Sequence, residues 1–318
     1  MPFFVNSSKL LGKMIESVVS NPHLKGLFGR TANLEKSTVA VACAGDAHVI
    51  EAVVAAKNMA SFVLVGDAAQ ITLAAQTVKA DISGMEIINE PDNVKACQKA
   101  VSLVASGAAL ALMKGLVDTS VVMKAVLDKD AGMRTGKTLS HLALFALPTY
   151  HKLLFVTDAA INIAPDLETK KIIIQNAVEA VVNLGVLCPK VALLAAKEKA
   201  DPKMPATMEA AELTRLHQNG ELPGCIIDGP LALDNAVSAE SATIKGINSP
   251  VAGHADILVC PDIEAGNILY KSLAFLAGAA NGGVVLGAKK PVILTSRADS
   301  AESKLISIAL GILSGGAA

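Results

Sequence analysis

The sequence contains no tryptophan, and aromatic residues supply only 3% of its positions while hydrophobic residues supply 52%. A core without large rings has to be filled by aliphatic side chains and alanine, the material of parallel sheets covered by helices. Charge of one sign is missing as well. The balance is 28 Lys and Arg against 29 Asp and Glu, a net −1 with no basic block or acidic tail. No nucleic-acid partner is therefore expected. Arginine is scarce, at Arg30, Arg134, Arg215 and Arg297 only. The five cysteines (Cys43, Cys97, Cys188, Cys225, Cys260) are scattered and never form C-x-x-C. That excludes a disulfide framework and points to reduced thiols in a cytoplasmic protein.

Long hydrophobic runs are absent too. The most apolar stretches, 139–163 and 305–318, are interrupted or too short to span a bilayer. The N-terminal MPFFVNSSKLLGKM lacks an apolar signal core and a cleavage site. A mean hydropathy of +0.48 thus reports a large buried core, and no membrane partner is expected. Catalytic signatures are missing in their turn. H-E-x-x-H, G-x-S-x-G and clustered His/Cys sets do not occur, which excludes the common zinc sites and nucleophile elbows. Gly132 to Thr138 (GMRTGKT) resembles a phosphate-binding loop but is one residue short between its glycines and follows a helix, not a strand. Gly282-Gly283…Gly287 lacks the order of a dinucleotide fingerprint.

What is present is a regular alternation of short apolar runs with helical patterns, hence an α/β class. Strands are expected at Thr38–Ala44, Phe62–Val65, Glu86–Ile88 and Ala108–Met113, with helices between them. The glycine-spaced segment Ala131–His141 reads as a connector, after which strands recur at Leu153–Thr157, Val191–Ala195 and Cys225–Ile227. At 318 residues, two compact domains are expected. The stretch Ser249–Lys304 is the most informative. Ile257–Cys260 reads as a strand, Ile263–Gly278 as a helix stopped by Gly282-Gly283, and Val284–Leu286 and Val292–Thr295 as two further strands. These are taken as parallel. Asp299-x-x-Glu302 fits a capping box for the final helix.

The predicted strands end in Asp46, Asp67, Lys114, Asp158, Asp228, Asp262 and Ser296-Arg297. Any one aspartate there is by default a helix cap; a whole row of polar ends is the rim of a ligand crevice. Arg297 is the strongest single candidate, because guanidinium binds phosphate through two parallel hydrogen bonds. Its alternative is a surface salt bridge to Asp299 or Glu302. Ser296 offers a donor for developing negative charge. Lys114, Lys124 and Arg134 add candidate cationic clamps.

Two runs carry a family resemblance: DILVCPDIEAGNILYK, and GGVVLGAKKPVILTSRADSAESK. Further support comes from LMKGLVDTSVVMKAVLDKDAGMRTGKTLSH, TDAAINIAPD, EKADPKMPAT and DGPLALDNAVS. Together they resemble the phosphate acetyl/butyryltransferase family, nearer its butyryl branch. The resemblance implies two α/β domains of isocitrate dehydrogenase-like fold with the active site in the interdomain cleft. Domain I is then 1–136, domain II 137–289, and 290–318 returns to domain I. It implies acyl exchange between coenzyme A and inorganic phosphate, with acyl-CoA or CoA and phosphate or acyl phosphate as partners. No cofactor is implied, coenzyme A being a substrate. Ser296 and Arg297 match the family's Ser-Arg, and Lys124 stands where the acetyl branch has a phosphate-binding arginine. Thr119 and Ser120 open the same helix, and Asn267 lies within the first motif; all three join the substrate-binding candidates. The acid that the acetyl branch carries six residues beyond its arginine is Ser303 here, so the neighbouring Glu302 becomes the candidate base. A homodimer or larger assembly is implied, with the apolar final helix and its Gly-Gly tail as candidate surface. The alternatives are acetyl transfer and an oxidoreductase of the same fold. The latter would need a metal-binding aspartate cluster and a set of substrate arginines that four scattered arginines do not supply.

Overall fold

The computed structural model describes residues 21–32, 36–295 and 299–316. The chain divides into two compact units, Met1–Lys137 with Ala280–Ala318, and Thr138–Ala279.

The first unit begins with α1 (Lys25–Ala32) and β1 (Ser37–Ala42), then α2 (Ala47–Ala55), β2 (Ala60–Gly66), α3 (Ala68–Thr77), β3 (Glu86–Asn89), α4 (Asn93–Ala105), β4 (Ala111–Lys114) and α5 (Thr119–Val126). Helices α2, α3 and α4 begin where an aspartate satisfies open backbone donors. Asp46 accepts from Val49 N at 3.0 Å, Asp67 from Ala69 N at 2.9 Å and Asp92 from Lys95 N at 2.9 Å.

The second unit runs through β5 (Ser140–Ala146), β6 (Leu154–Thr157), α6 (Leu167–Asn183), β7 (Lys190–Leu194), α7 (Pro205–Gln218), β8 (Ile226–Leu231), α8 (Leu233–Val237), α9 (Ala239–Ile244), β9 (Ile257–Val259) and α10 (Ile263–Lys271), which continues as a π-helical turn, Ser272–Leu276. Its strand order is β5-β6-β9-β7-β8, parallel except for β5 against β6. The chain then re-enters the first unit as β10 (Ala280–Leu286), β11 (Val292–Ile293) and α11 (Ala301–Ser314). The first unit's order is β3-β2-β1-β4-β11-β10, parallel except for β10 against β11.

Five expectations change. The sheets are mixed, not purely parallel, because the short connections from β10 to β11 and from β5 to β6 reverse the chain. The second unit ends at Ala279, so β10 belongs to the first unit and not, as a return at Lys290 required, to the second. The reason is a close contact: a Cβ on Gly282 would lie 2.7 Å from Ser307 N and from Ile306 Cγ2, and Gly283 N donates to Ser307 Oγ at 2.9 Å. The glycines that read as a helix stop are thus the place where α11 lies on the strand. The final helix is not a free surface either. Every residue from Ser303 to Ser314 is buried, so α11 is a central helix, covered on all sides. Its cap is Ser300, whose Oγ accepts from Ser303 N at 3.1 Å, in place of the Asp299–Glu302 box.

Candidate active site

In the first unit β1 leads to β2 on one side while β4 lies on its other side. The carboxyl ends of β1 and β4 therefore flank a topological switch point, the place where open α/β sheets bind ligands. A pocket of ≈ 330 Å³, part of it open to solvent, opens there. Asp46, Val49, Lys114, Gly115, Leu116, Thr295 and Lys304 line it. Register explains the meeting: Ala42 pairs with Lys114 and Ile293 with Met113, so the residues just past β1, β4 and β11 emerge at one edge.

Lys114 is only 4% exposed, and its Nζ donates to the carbonyls of Gly115 (3.3 Å) and Val117 (3.1 Å). Lys304, in the first turn of α11, is 3% exposed and donates to the Asp299 carbonyl at 2.5 Å. Burial lowers the Lys304 pKa, opposed by the charges of Asp299, Asp46 and Glu51. Two ammonium groups thus face one pocket out of bulk water. The acid beside them, Asp46, already caps α2. Coulombic attraction for an anion is stronger in such a site than at an exposed surface.

The wall carrying Lys114 is held tightly. Gly115 N donates to Ala42 O and Leu116 N to Cys43 O, both at 2.8 Å. A Cβ on Gly115 would sit 2.2 Å from Cys43 O and 2.6 Å from Ala42 O, so only glycine lets the chain after β4 lie against the end of β1.

Most of the row of aspartates is structural. Asp46, Asp67 and Asp262 cap helices. Buried Asp158 accepts from Ala160 N (2.8 Å), Ile161 N (3.0 Å), His141 N (3.2 Å) and Asn162 Nδ2 (2.6 Å). Asp228 accepts from Gly229 N at 2.8 Å. Of the other candidates, Thr119, Ser120, Lys124 and Arg134 are exposed residues of the first unit, outside the pocket lining. Asn267, in the second unit, donates to Ala159 O at 3.1 Å and ties α10 to the turn after β6. Glu302 is half-buried, which raises its pKa, and it does not line the pocket. Ser296 and Arg297 lie outside the described residues.

Lys304 and Thr295 are pocket residues that sequence reasoning passed over. The signal for Lys304 was available: it is the only lysine or arginine in α11, a helix otherwise dominated by apolar and small residues, and it falls seven positions after Arg297.

An α/β fold with two buried lysines lining a pocket at its switch point has the electrostatics to attract an anion. The sequence narrows this further: residues 91–312 match the phosphate acetyl/butaryl transferase family, and the chain belongs to that family. Phosphate butyryltransferase of Clostridium acetobutylicum is 47% identical over 284 residues, covering 89% of this chain and 94% of that protein. Phosphate acetyltransferase of Thermotoga maritima is 47% identical over 274 residues, covering 86% and 93%. Among solved structures, a branched-chain phosphotransacylase from Enterococcus faecalis aligns with a TM-score of 0.79 at 36% identity, covering 89% of this chain and 100% of that one. The fold is the isocitrate dehydrogenase-like α/β architecture that the resemblance implied.

Proposed function

We propose that this protein exchanges a short acyl group between coenzyme A and inorganic phosphate, with butyryl as the preferred group. The observation that carries the reading is the pair of buried lysines facing one switch-point pocket in a chain of this family. In one direction the coenzyme A thiolate attacks the carbonyl carbon of an acyl phosphate. A tetrahedral oxyanion forms, the C–O bond to phosphate breaks, and phosphate leaves with the electron pair. In the other direction a phosphate oxygen attacks the thioester and the C–S bond breaks. Both directions need two anionic partners held together and an oxyanion stabilised. Lys114 and Lys304 are assigned to the phosphoryl group, Arg297 to a bidentate hold on it, and Ser296 to the oxyanion. Lys124 is assigned to phosphate, as its match to a phosphate-binding arginine implies, and Thr119, Ser120, Arg134 and Asn267 are each kept as substrate-binding candidates. Glu302 is assigned as the base that takes the thiol proton. Its raised pKa is the direction a base for a thiol requires.

Thiol release from acyl-CoA esters of two to five carbons, with and without phosphate, tests the reading. Release should require phosphate, be fastest with butyryl-CoA and survive a chelator without any added cofactor. Release that ignores phosphate would refute acyl exchange. Fastest turnover of acetyl-CoA would instead select acetyl transfer, the reading favoured by the equally similar Thermotoga maritima relative.

The protein is further assigned to the cytoplasm as a homodimer or an assembly of dimers. No helix among the described residues is long and apolar enough to cross a membrane. With α11 buried, the candidate contact is the helical segment of α10 and its π-helical turn, where Ile268, Phe275 and Leu276 are 67%, 68% and 86% exposed. Light scattering should give a dimer or a multiple of it, and Phe275→Asp with Leu276→Asp should shift the mass toward the monomer. A monomeric parent at micromolar concentration would remove the assignment.

A further inference from the structure

Cys43 and Cys97 are buried, and their sulfurs lie 3.9 Å apart, on two elements that pack together, the end of β1 and the second turn of α4. They are not equivalent. Cys97 is fully buried in a regular helix. Cys43 keeps 5% of its surface exposed and has a left-handed backbone, φ 55°, which is uncommon for a residue with a Cβ. Its sulfur also lies 3.6 Å from the Asn93 carbonyl at the start of α4. The hydrogen bond between the sulfurs lowers the Cys97 pKa, against its burial, and the positive charge of Lys114 acts in the same direction. The other buried thiols move the opposite way: burial pushes Cys225 up to about 11 and Cys260 up to about 12, and the hydrogen bond to Cys97 together with burial raises Cys43 well above the ordinary thiol range. Within the pair, thiolate character, the requirement for oxidation, thus falls on Cys97, with the Cys43 thiol 3.9 Å away as its partner.

The pair is also coupled to the pocket. The Cys43 carbonyl accepts from Leu116 N at 2.8 Å, and Gly115 has no room for even a methyl group against that carbonyl. Bringing the sulfurs from 3.9 Å to a bonded distance of about 2.05 Å pulls Cys43 toward α4. The fully buried helical residue gives less than the strained loop residue. Displacement of Cys43 is transmitted to Gly115 and Leu116, which line the pocket beside Lys114.

We propose that Cys43 and Cys97 form a reversible disulfide on exposure to a hydroperoxide, and that this bond distorts the pocket wall at Lys114–Leu116 and lowers turnover. The thiolate of the pair attacks the O–O bond of the peroxide, forming a sulfenic acid and releasing an alcohol, or water from hydrogen peroxide. The second thiol then attacks the sulfenic sulfur, forming the S–S bond and releasing water. Both thiols lose their hydrogens, the peroxide takes up the two electrons, and a dithiol reductant reverses the change by exchange. A disulfide that forms and reverses in this way is the regulatory kind found in reducing compartments. The effect on turnover rests on the acyl-exchange reading; the disulfide does not.

The experiment uses the full chain carrying Cys188→Ser, since Cys188 is exposed and would react on its own account. The protein is oxidised with hydrogen peroxide under native conditions, desalted and digested without reductant. A Cys43–Cys97 linked peptide is expected, together with a fall of about tenfold or more in phosphate-dependent thiol release, restored by dithiothreitol. Cys97→Ala, or Cys43→Ala if the first is poorly folded, should be active and insensitive to the oxidant. Absence of the linked peptide, or an equal loss of activity in the alanine variants, would overturn the proposal. If the reduced enzyme shows no phosphate-dependent release at all, the acyl-exchange reading fails. The linked peptide and the loss of phosphate-induced thermal stabilisation then decide the dithiol proposal alone.

Discussion

Lys114→Met is expected to slow phosphate-dependent thiol release by about 30- to 1,000-fold, the equivalent of about 2–4 kcal/mol of lost transition-state stabilisation. The side chain is 4% exposed at the end of β4, so methionine of similar length fills the same volume without the charge. The effect should appear in the KM for phosphate as well as in kcat, because the ammonium holds the anion both before and during transfer. The carbonyls of Gly115 and Val117 lose a donor, which costs about 1–3 kcal/mol of stability. The melting temperature should therefore fall by several degrees while the fold persists. Lys304→Met should lower activity in the same direction but respond differently to pH. Its pKa is lowered by burial, so protonation costs stability while the pH is below the folded value. That cost is relieved as pH rises from the folded pKa toward the unfolded value of about 10.4. The melting temperature of the parent should accordingly climb relative to Lys304→Met across that window. Near-normal kinetics in both variants would place the anion site elsewhere.

Arg297→Lys is expected to cost about 30- to 1,000-fold in kcat/KM, and Arg297→Ala more. The argument rests on chemistry and on the family's Ser-Arg motif. Lysine keeps the charge but has no planar fork, so it loses one of two parallel hydrogen bonds to a phosphoryl group. A surface partner of Glu302 would behave otherwise. Exposed pairs contribute about 0–1 kcal/mol to stability, and both variants would then stay within about twofold of the parent in activity. Steady-state kinetics beside a melting curve separate the two cases. A large loss of activity with an unchanged melting curve identifies a site residue, and near-parental activity in both variants removes Arg297 from the site.

Several misreadings of the sequence have a common origin. Ser140–Ala146 is a fully buried strand, yet in the sequence it reads as part of a connector and an apolar stretch, since a continuous apolar run has no period to betray it. Gly282-Gly283 carries the composition of a stop and forms the interior of β10, because the helix lying across it is contributed by residues more than 20 positions later. The final helix reads as a free apolar face and is the covered centre of its unit. In each case the deciding partner is distant along the chain.

What the sequence by itself determined is local. The aspartates that begin helices α2, α3, α4, α6 and α10 act through donors two or three residues away, and their spacing is visible without a structure. The α/β alternation follows from apolar runs punctuated by those caps, and the family from contiguous motifs. Only the tertiary structure decided that Asp46, Lys114, Thr295 and Lys304 share one pocket. Their convergence needs β11, delivered by the last part of the chain, to pair alongside β4, and α11 to pass over β10 where glycine leaves room. Neither is encoded in any short window, because pairing and packing depend on which surfaces meet. The same nonlocal packing sets two thiols 54 residues apart within 3.9 Å of each other behind the pocket wall.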